Sequence, residues 1–247
     1  MTNTIPRSAA FPLTAKYDPQ WIAANALGEN ALCQAEYLAR ELPFLPGMRV
    51  LDLGCGKAAS SIFLAREFGV EVWAVDAAIS PSDNRARAIA FDPGIKVLPL
   101  KVDARSLPFA NEFFDAVIGI DSFLYFATDE RFLSYLIPFV KPGGYVGIVD
   151  IGFTREVPSI AEAPEYLRPE FAEHWSFVHT LPWWRDHWQK TGLVDVQHLA
   201  LLPESANLLR DYIRDRPATD PEDSIMRASR SDTDGLIALF CMVARKR

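Results

Sequence analysis

Between residues 49 and 150 the chain alternates short β-branched runs with helical stretches, and this rhythm restricts its fold more than any other feature. Residues 49–53 (RVLDL), 70–75 (VEVWAV), 96–102 (KVLPLKV), 116–120 (AVIGI) and 145–150 (YVGIVD) read as strands. Residues 58–68, 86–91 and 129–140 carry helical spacing between them, and a further helix at 30–42 precedes the first strand. Such an order calls for a parallel sheet covered on both faces. Pro99 cannot donate to a central ladder, so 96–102 belongs at an edge. Residues 193–202 and 236–244 are two more strands, joined by a segment too polar to serve as a crossover helix, and one of them is expected to run backwards. The expected architecture is α/β: a doubly wound, mostly parallel seven-stranded sheet with one antiparallel strand near the edge, helices on both faces and an aromatic-rich cap.

The 247 residues suit one domain, with an N-terminal arm or lid at 1–29 and cap insertions at 152–190 and 205–230. With 32 acids against 25 bases the net charge is -7, which argues against a general affinity for nucleic-acid phosphates. No apolar run approaches the roughly 18 residues of a membrane span, and the N-terminus lacks the apolar stretch of a secretory signal. Three cysteines, odd in number and far apart, suggest neither a disulfide framework nor a metal site. A cytoplasmic protein is expected; its oligomeric state is left open.

The chemistry centres on Val50-Leu51-Asp52-Leu53-Gly54-Cys55-Gly56-Lys57. A strand must turn sharply into a helix here while its backbone comes close to a ligand, and Gly54 and Gly56 allow both. Gly54-x-Gly56-x-x-Ala59, with Asp76 downstream, also satisfies the Ala-ended dinucleotide fingerprint, so a nicotinamide-dependent oxidoreductase competes. Asp52 weighs against it: a carboxylate there would repel a pyrophosphate but would suit an amino-acid ammonium and a sulfonium. Asp76 ends the second strand, where it can accept from ribose hydroxyls, and Asp103 follows the third, placed to meet an adenine amine. With Asp121 and Asp150 these acids mark five strand ends at one edge of the sheet, where open α/β sheets bind ligands.

VLDLGCGKA, the acid of AVDAA, VDARSLPFANEFFDAVIGID and VKPGGYVGIVD together resemble the class I S-adenosylmethionine-dependent methyltransferases over residues 47–151. The resemblance implies seven strands, the last antiparallel and inserted beside the sixth, and S-adenosyl-L-methionine as cofactor. It implies that Asp52, Gly54, Cys55 and Gly56 surround the methionine part and that Asp76 meets the ribose. Ala77, Asp103 and Ala104 would then lie along the adenine, with Asp121 at the methionine end. The third glycine of the commoner loop is absent, Ala58 and Ala59 standing there, and these are expected to fit within the helix start.

Methyl transfer needs alignment and dryness more than a strong base, so the catalytic residues are left unassigned. Tyr17, with Trp21, is expected to close over the cofactor. Tyr125 either faces the substrate or packs in the core. Trp184 and Trp188, four apart, either shape a pocket or dock their helix on the sheet. His174 and His179 are candidate bases and His198 is structural. No metal is expected, because no amide side chain follows Asp150. The acceptor is read as a small molecule; a non-catalytic cofactor-binding module is a further alternative.

Overall fold

A computed structural model of the chain describes residues 7–28, 30–203, 205–215 and 224–247. In chain order, α1 (Arg7–Ala10) and α2 (Pro19–Asn25) form the arm and α3 (Ala31–Glu41) leads into β1 (Arg49–Leu53). Then come α4 (Ala59–Phe68), β2 (Glu71–Asp76), α5 (Pro81–Phe91), β3 (Val97–Lys101), β4 (Phe114–Ile120), α6 (Phe132–Leu136) and β5 (Val140–Phe153). The last third holds α7 (Leu181–Gln189), β6 (Val194–Leu201), α8 (Ser205–Asp215), α9 (Ser224–Ser231) and β7 (Ile237–Lys246).

The seven strands lie in the order β3-β2-β1-β4-β5-β7-β6. The β1–β2, β1–β4, β2–β3 and β4–β5 pairs are parallel, while β7 runs antiparallel to both β5 and β6. The sheet is thus the mostly parallel one that the sequence rhythm predicts, with Pro99 on the edge strand, and β7 lies between β5 and β6 as the family resemblance implies. Strand alternation distributes β1 between two cores. Val50 packs in the cluster with α3 and α4 (Leu32, Leu38, Ile62, Phe63), and Leu51 and Leu53 pack in the other with Leu136, Trp184 and Trp188.

The helix read at 129–140 is shorter than its spacing suggests. Only Phe132–Leu136 is α-helical, followed by a 3₁₀ turn at Ile137–Phe139. Pro138 has no N–H to continue the α ladder, and the carboxylate of Asp129 accepts from Arg131 N (2.8 Å) in a turn that replaces the first helical residues. The helix closed by 86–91 begins at Pro81, because Ser80 caps it and Pro81 fits its first turn.

The described part of the arm is docked and does not hang free. Buried Glu36 of α3 accepts from Leu13 N (3.1 Å), Thr14 N (2.7 Å) and the Thr14 hydroxyl (2.8 Å). Residues 1–6 and 29 of the expected arm lie outside the described residues, as do 216–223 of the expected 205–230 insertion and residue 204 just before it. No helix among the described residues is long and apolar enough to cross a membrane.

One topological detail positions the site. β7 begins beside the end of β5 (Phe153↔Ile237) and near the end of β6 (Leu201↔Phe240). The α8–α9 segment therefore leaves and re-enters the sheet at the edge where the parallel strands terminate.

Candidate active site

The end of β1 turns into α4 through Gly54-Cys55-Gly56-Lys57-Ala58. Gly54 (φ 73°) and Gly56 (φ 52°) occupy the left-handed region. Both Gly54 N and Cys55 N donate to Val75 O (2.9 and 3.0 Å), which ties the loop to the end of β2. A Cβ at Gly54 would lie 2.6 Å from Ser122 Cβ, and one at Gly56 would lie 3.0 Å from Leu27. Ala58 is itself left-handed (φ 61°), just before the helix and not inside its first turn as expected. A non-glycine residue there costs on the order of 1–2 kcal/mol, which the loop's tethers must offset.

Asp76 locks the loop from the second strand. Its Oδ2 accepts from Gly56 N (2.9 Å) and its Oδ1 from Ala78 N (2.8 Å) and Ile79 N (2.9 Å). A carboxylate has about four acceptor positions, so one direction is left over beyond these three bonds. Asp121 sits at φ 52° beyond β4 and accepts from the amide of Gln34 at 2.8 and 2.9 Å. Gly28 covers it so closely that a Cβ would meet its Oδ2 at 2.5 Å. Asp150 is buried and accepts from Leu124 N (3.2 Å) and Ile151 N (2.9 Å).

These groups converge on a cavity of about 580 Å³ at the C-terminal edge of the sheet. Eight of the ten residues singled out in the sequence line it: Gly54, Cys55, Gly56 and Asp76, with Ala77, Asp103, Ala104 and Asp121. Asp150 lines it as well. Among the described residues, four carboxylates thus line the cavity beside one cationic side chain, Arg105. That guanidinium is engaged by Tyr125 O (2.9 Å) and lies 3.8 Å from Asp103 Oδ1.

Two residues stand elsewhere. Asp52 is buried beneath the loop and accepts from the hydroxyls of Ser60 (2.9 Å) and Ser61 (2.6 Å), so it braces the start of α4 and does not line the cavity. Alternation along β1 turns its side chain into the helix-covered face, a direction that the spacing to Gly54 did not reveal. Tyr17 is also off the cavity. Its ring stacks 5.7 Å from Phe91, and its hydroxyl donates to Glu67 (3.2 Å), so it fastens the arm to α4 and α5. Trp21 packs on the same ring of Phe91 (5.0 Å). The arm reaches the cavity with Asn25, Leu27 and Gly28 instead.

Burial pushes the Asp52 carboxyl up to about 6, the two serine hydroxyls partly opposing the shift. With the folded value above the unfolded one, the native state binds the extra proton. The resulting stability is therefore full below pH ~4 and lost as pH rises through about 6. Asp52→Asn is expected to remove this dependence. The wild-type stability measured by urea unfolding at pH 7.5, relative to pH 4.5, should fall by on the order of 2–3 kcal/mol more than the variant's. Parallel profiles would show that Asp52 is not the group responsible.

The cap reaches the cavity with His174, one of the two candidate bases, with aromatics of the expected cap, and with Tyr212, Ser224 and Ile225, which no local pattern marks. A single wide π turn, Phe171–Trp175, presents His174 and Trp175; Phe177 and Val178 follow, and Tyr212, Ser224 and Ile225 come from α8 and α9. Tyr125 lines the cavity, 57 % exposed and 5.8 Å from Phe177, and so is not part of the core. Trp184 and Trp188 are buried against Phe240 and Phe123, and so dock α7 on the sheet. His179 stacks on Trp183 (3.8 Å) beside Glu156, and His187 pairs with Ala127 O (3.0 Å). His198 faces Glu41 at 3.1 Å. Of the histidines, His174 alone lines this cavity.

A glycine turn, acids at successive strand ends and a reversed seventh strand define the fold of the class I, Rossmann-like S-adenosylmethionine-dependent methyltransferases. Residues 50–144 match the family model described as a methyltransferase domain. Among curated proteins, the chain is 30% identical over 162 residues to 2-methyl-6-phytyl-1,4-hydroquinone methyltransferase of Synechocystis, covering 62% of this chain and 48% of that one. The chain spans about half the length of the first curated relatives it matches. Among solved structures it is similar to geranyl diphosphate C-methyltransferase of Streptomyces coelicolor, crystallised with S-adenosyl-L-homocysteine (TM-score 0.69, 19% identity, 87% and 78% of the two chains). It is also similar to phosphoethanolamine N-methyltransferase 2 of Haemonchus contortus with S-adenosyl-L-methionine (TM-score 0.74, 18% identity, 99% and 60%).

Proposed function

We propose that this protein transfers the methyl group of S-adenosyl-L-methionine to a small-molecule acceptor. The observation that carries the reading is the convergence of the glycine loop, Asp76, Asp103 and Asp121 on one carboxylate-rich cavity. The donor set fits a cationic amino-acid nucleoside: the glycines remove Cβ atoms that would fill the cradle, and the acids complement ammonium and sulfonium charge. A dinucleotide pyrophosphate would enter the same acidic rim unfavourably. When bound, the cofactor supplies a methyl group on a cationic sulfur that an acceptor atom displaces in line.

The chain's own part is to hold and to exclude. Asp76 accepts from a ribose hydroxyl with its remaining lone-pair direction, and Asp103 with Ala77 and Ala104 borders the base. Gly54, Cys55, Gly56 and Asp121 surround the amino-acid end, with Gln34 fixing the Asp121 carboxylate. Trp175 and Phe177 keep water from the transfer line. His174 stands where it can take a proton from the acceptor. We place the reaction in a reducing, cytoplasmic setting, a reading supported by Cys33, Cys55 and Cys241, which are buried and form no disulfide.

Calorimetric titration with S-adenosylhomocysteine, beside equilibrium dialysis with nicotinamide dinucleotides, tests the cofactor. Product formation over a broad acceptor panel tests transfer. Retention of a nicotinamide dinucleotide alone would make the protein an oxidoreductase, and tight cofactor binding without turnover on any acceptor would make it a binding module. Asp76→Ala should weaken S-adenosylhomocysteine by about 1–3 kcal/mol, with Asp76→Asn, which keeps one acceptor oxygen for the loop, intermediate. Unchanged affinity in both variants would remove Asp76 from the site.

A further inference from the structure

We infer that Asn84, which does not line the cavity, is a positioning residue for the cofactor: with Arg87 behind it, it fixes the Gly56 peptide in the orientation that receives the amino-acid end. This rests on the proposed cofactor site, because Asn84 acts through the glycine loop that borders it.

An amide is a costly choice at this place in α5. The helix buries two residues, Asn84 and Ala88, and Asn84 is 1 % exposed. A polar side chain so deeply buried destabilises the fold unless its polar atoms are bonded, and asparagine is a mediocre helix former besides. Here both ends are bonded. Nδ2 donates to Gly56 O at 2.9 Å and lies 3.7 Å from Cys55 Sγ. Oδ1 accepts from Arg87 Nη1 at 2.6 Å. The two partners settle which end is which, since a flipped amide would set oxygen against the Gly56 carbonyl and nitrogen against a guanidinium.

Gly56 is thereby held at both of its backbone polar groups. Its N–H donates to Asp76 Oδ2 (2.9 Å) at the end of β2, and its carbonyl accepts from Asn84 on α5. A glycine at φ 52° has more conformations open to it than any other residue. Two bonds from two different elements remove that freedom before a ligand arrives, and such preorganisation lowers the ordering cost of binding. The direction of the second bond matters as well. Gly56 lines the cavity and Asn84 does not, so the carbonyl is turned towards α5. Released, the same oxygen is free to turn into the cavity, where its partial negative charge would repel the carboxylate of the amino-acid end.

Arg87 strengthens the grip. A guanidinium bonded to the amide oxygen draws charge through the amide and makes its N–H groups better donors. The Arg87 side chain is half-buried, so it can be altered with little effect on the core.

Two ligands that share the nucleoside and differ in the amino-acid end separate positioning from general support: S-adenosylhomocysteine and 5′-methylthioadenosine. Both are titrated calorimetrically into the full chain, then into Asn84→Asp and Asn84→Ala. The Asp variant keeps the shape and the Arg87 partner but, when ionised, has no donor for Gly56 O. In both variants S-adenosylhomocysteine affinity should fall at least about tenfold while that of methylthioadenosine stays within about threefold. Arg87→Met should move the ratio of the two affinities the same way by about threefold, and it carries the test if circular dichroism shows that neither Asn84 variant folds. Equal losses for the two ligands would make Asn84 a merely structural residue, and undiminished S-adenosylhomocysteine affinity would remove it from the site; either result overturns the inference alone. Failure of the unaltered chain to bind S-adenosylhomocysteine would sink the cofactor reading, and this inference with it.

Discussion

Gly54→Val is expected to abolish cofactor binding, with affinity for S-adenosylhomocysteine falling by at least about 100-fold. Two independent penalties act at this position. The backbone is left-handed at φ 73°, a region that β-branched residues scarcely enter. The added Cβ alone would sit 2.6 Å from Ser122 Cβ and 3.0 Å from its hydroxyl oxygen, and that hydroxyl is itself committed to Leu53 O at 2.6 Å. The loop can relieve the clash only by moving away from Ser122, which breaks the bonds from Gly54 N and Cys55 N to Val75 O and shifts the cradle. Far-UV circular dichroism separates loss of the loop from loss of the sheet, and Gly54→Ala, which shares the strain but not the branching, should lie between. Near-wild-type binding by Gly54→Val would show that the ligand does not approach this turn.

Trp184→Ala should cost about 3–5 kcal/mol of stability and leave cofactor affinity nearly untouched once the protein is folded. Trp184 is 1% exposed, packs 5.8 Å from Phe240 of β7 and 6.4 Å from Trp188, and does not line the cavity. Truncating it leaves a void between α7 and the centre of the sheet that neighbours in close-packed surroundings fill poorly. Domains of this kind hold only about 5–15 kcal/mol in total, so the effect should be read from urea midpoints at low temperature. The opposite pattern, with stability preserved and ligand affinity lost, would return this tryptophan to the pocket wall.

The contrast between these two positions shows which parts of the molecule local sequence expresses. The mostly parallel sheet followed from apolar runs, the glycine turn and the alternation of strands with helices, because parallel strands joined by helices have few ways to pack. The acids at strand ends were legible for the same reason: a residue just past a parallel strand must lie at the ligand edge, whatever else surrounds it. Asp52 was misread because its direction depends on pleat phase and on Ser60 and Ser61 beneath the loop. Tyr17 was misread because an aromatic near a flexible-looking terminus resembles a lid, whereas the Glu36 and Glu67 hydrogen bonds that dock the arm come from residues 22 to 50 positions away.

What the chain by itself determined is the doubly wound sheet and the acidic, glycine-lined half of its cavity, since both arise from contacts within one strand–turn–helix unit or between successive units. The tertiary structure decided the other half. His174, Tyr212 and Ile225 come from a π turn and two helices that are distant in sequence, and they meet the strand ends only because β7 starts where β5 and β6 finish. Their juxtaposition comes from sheet closure over long loops, an energy term that no short window of sequence contains.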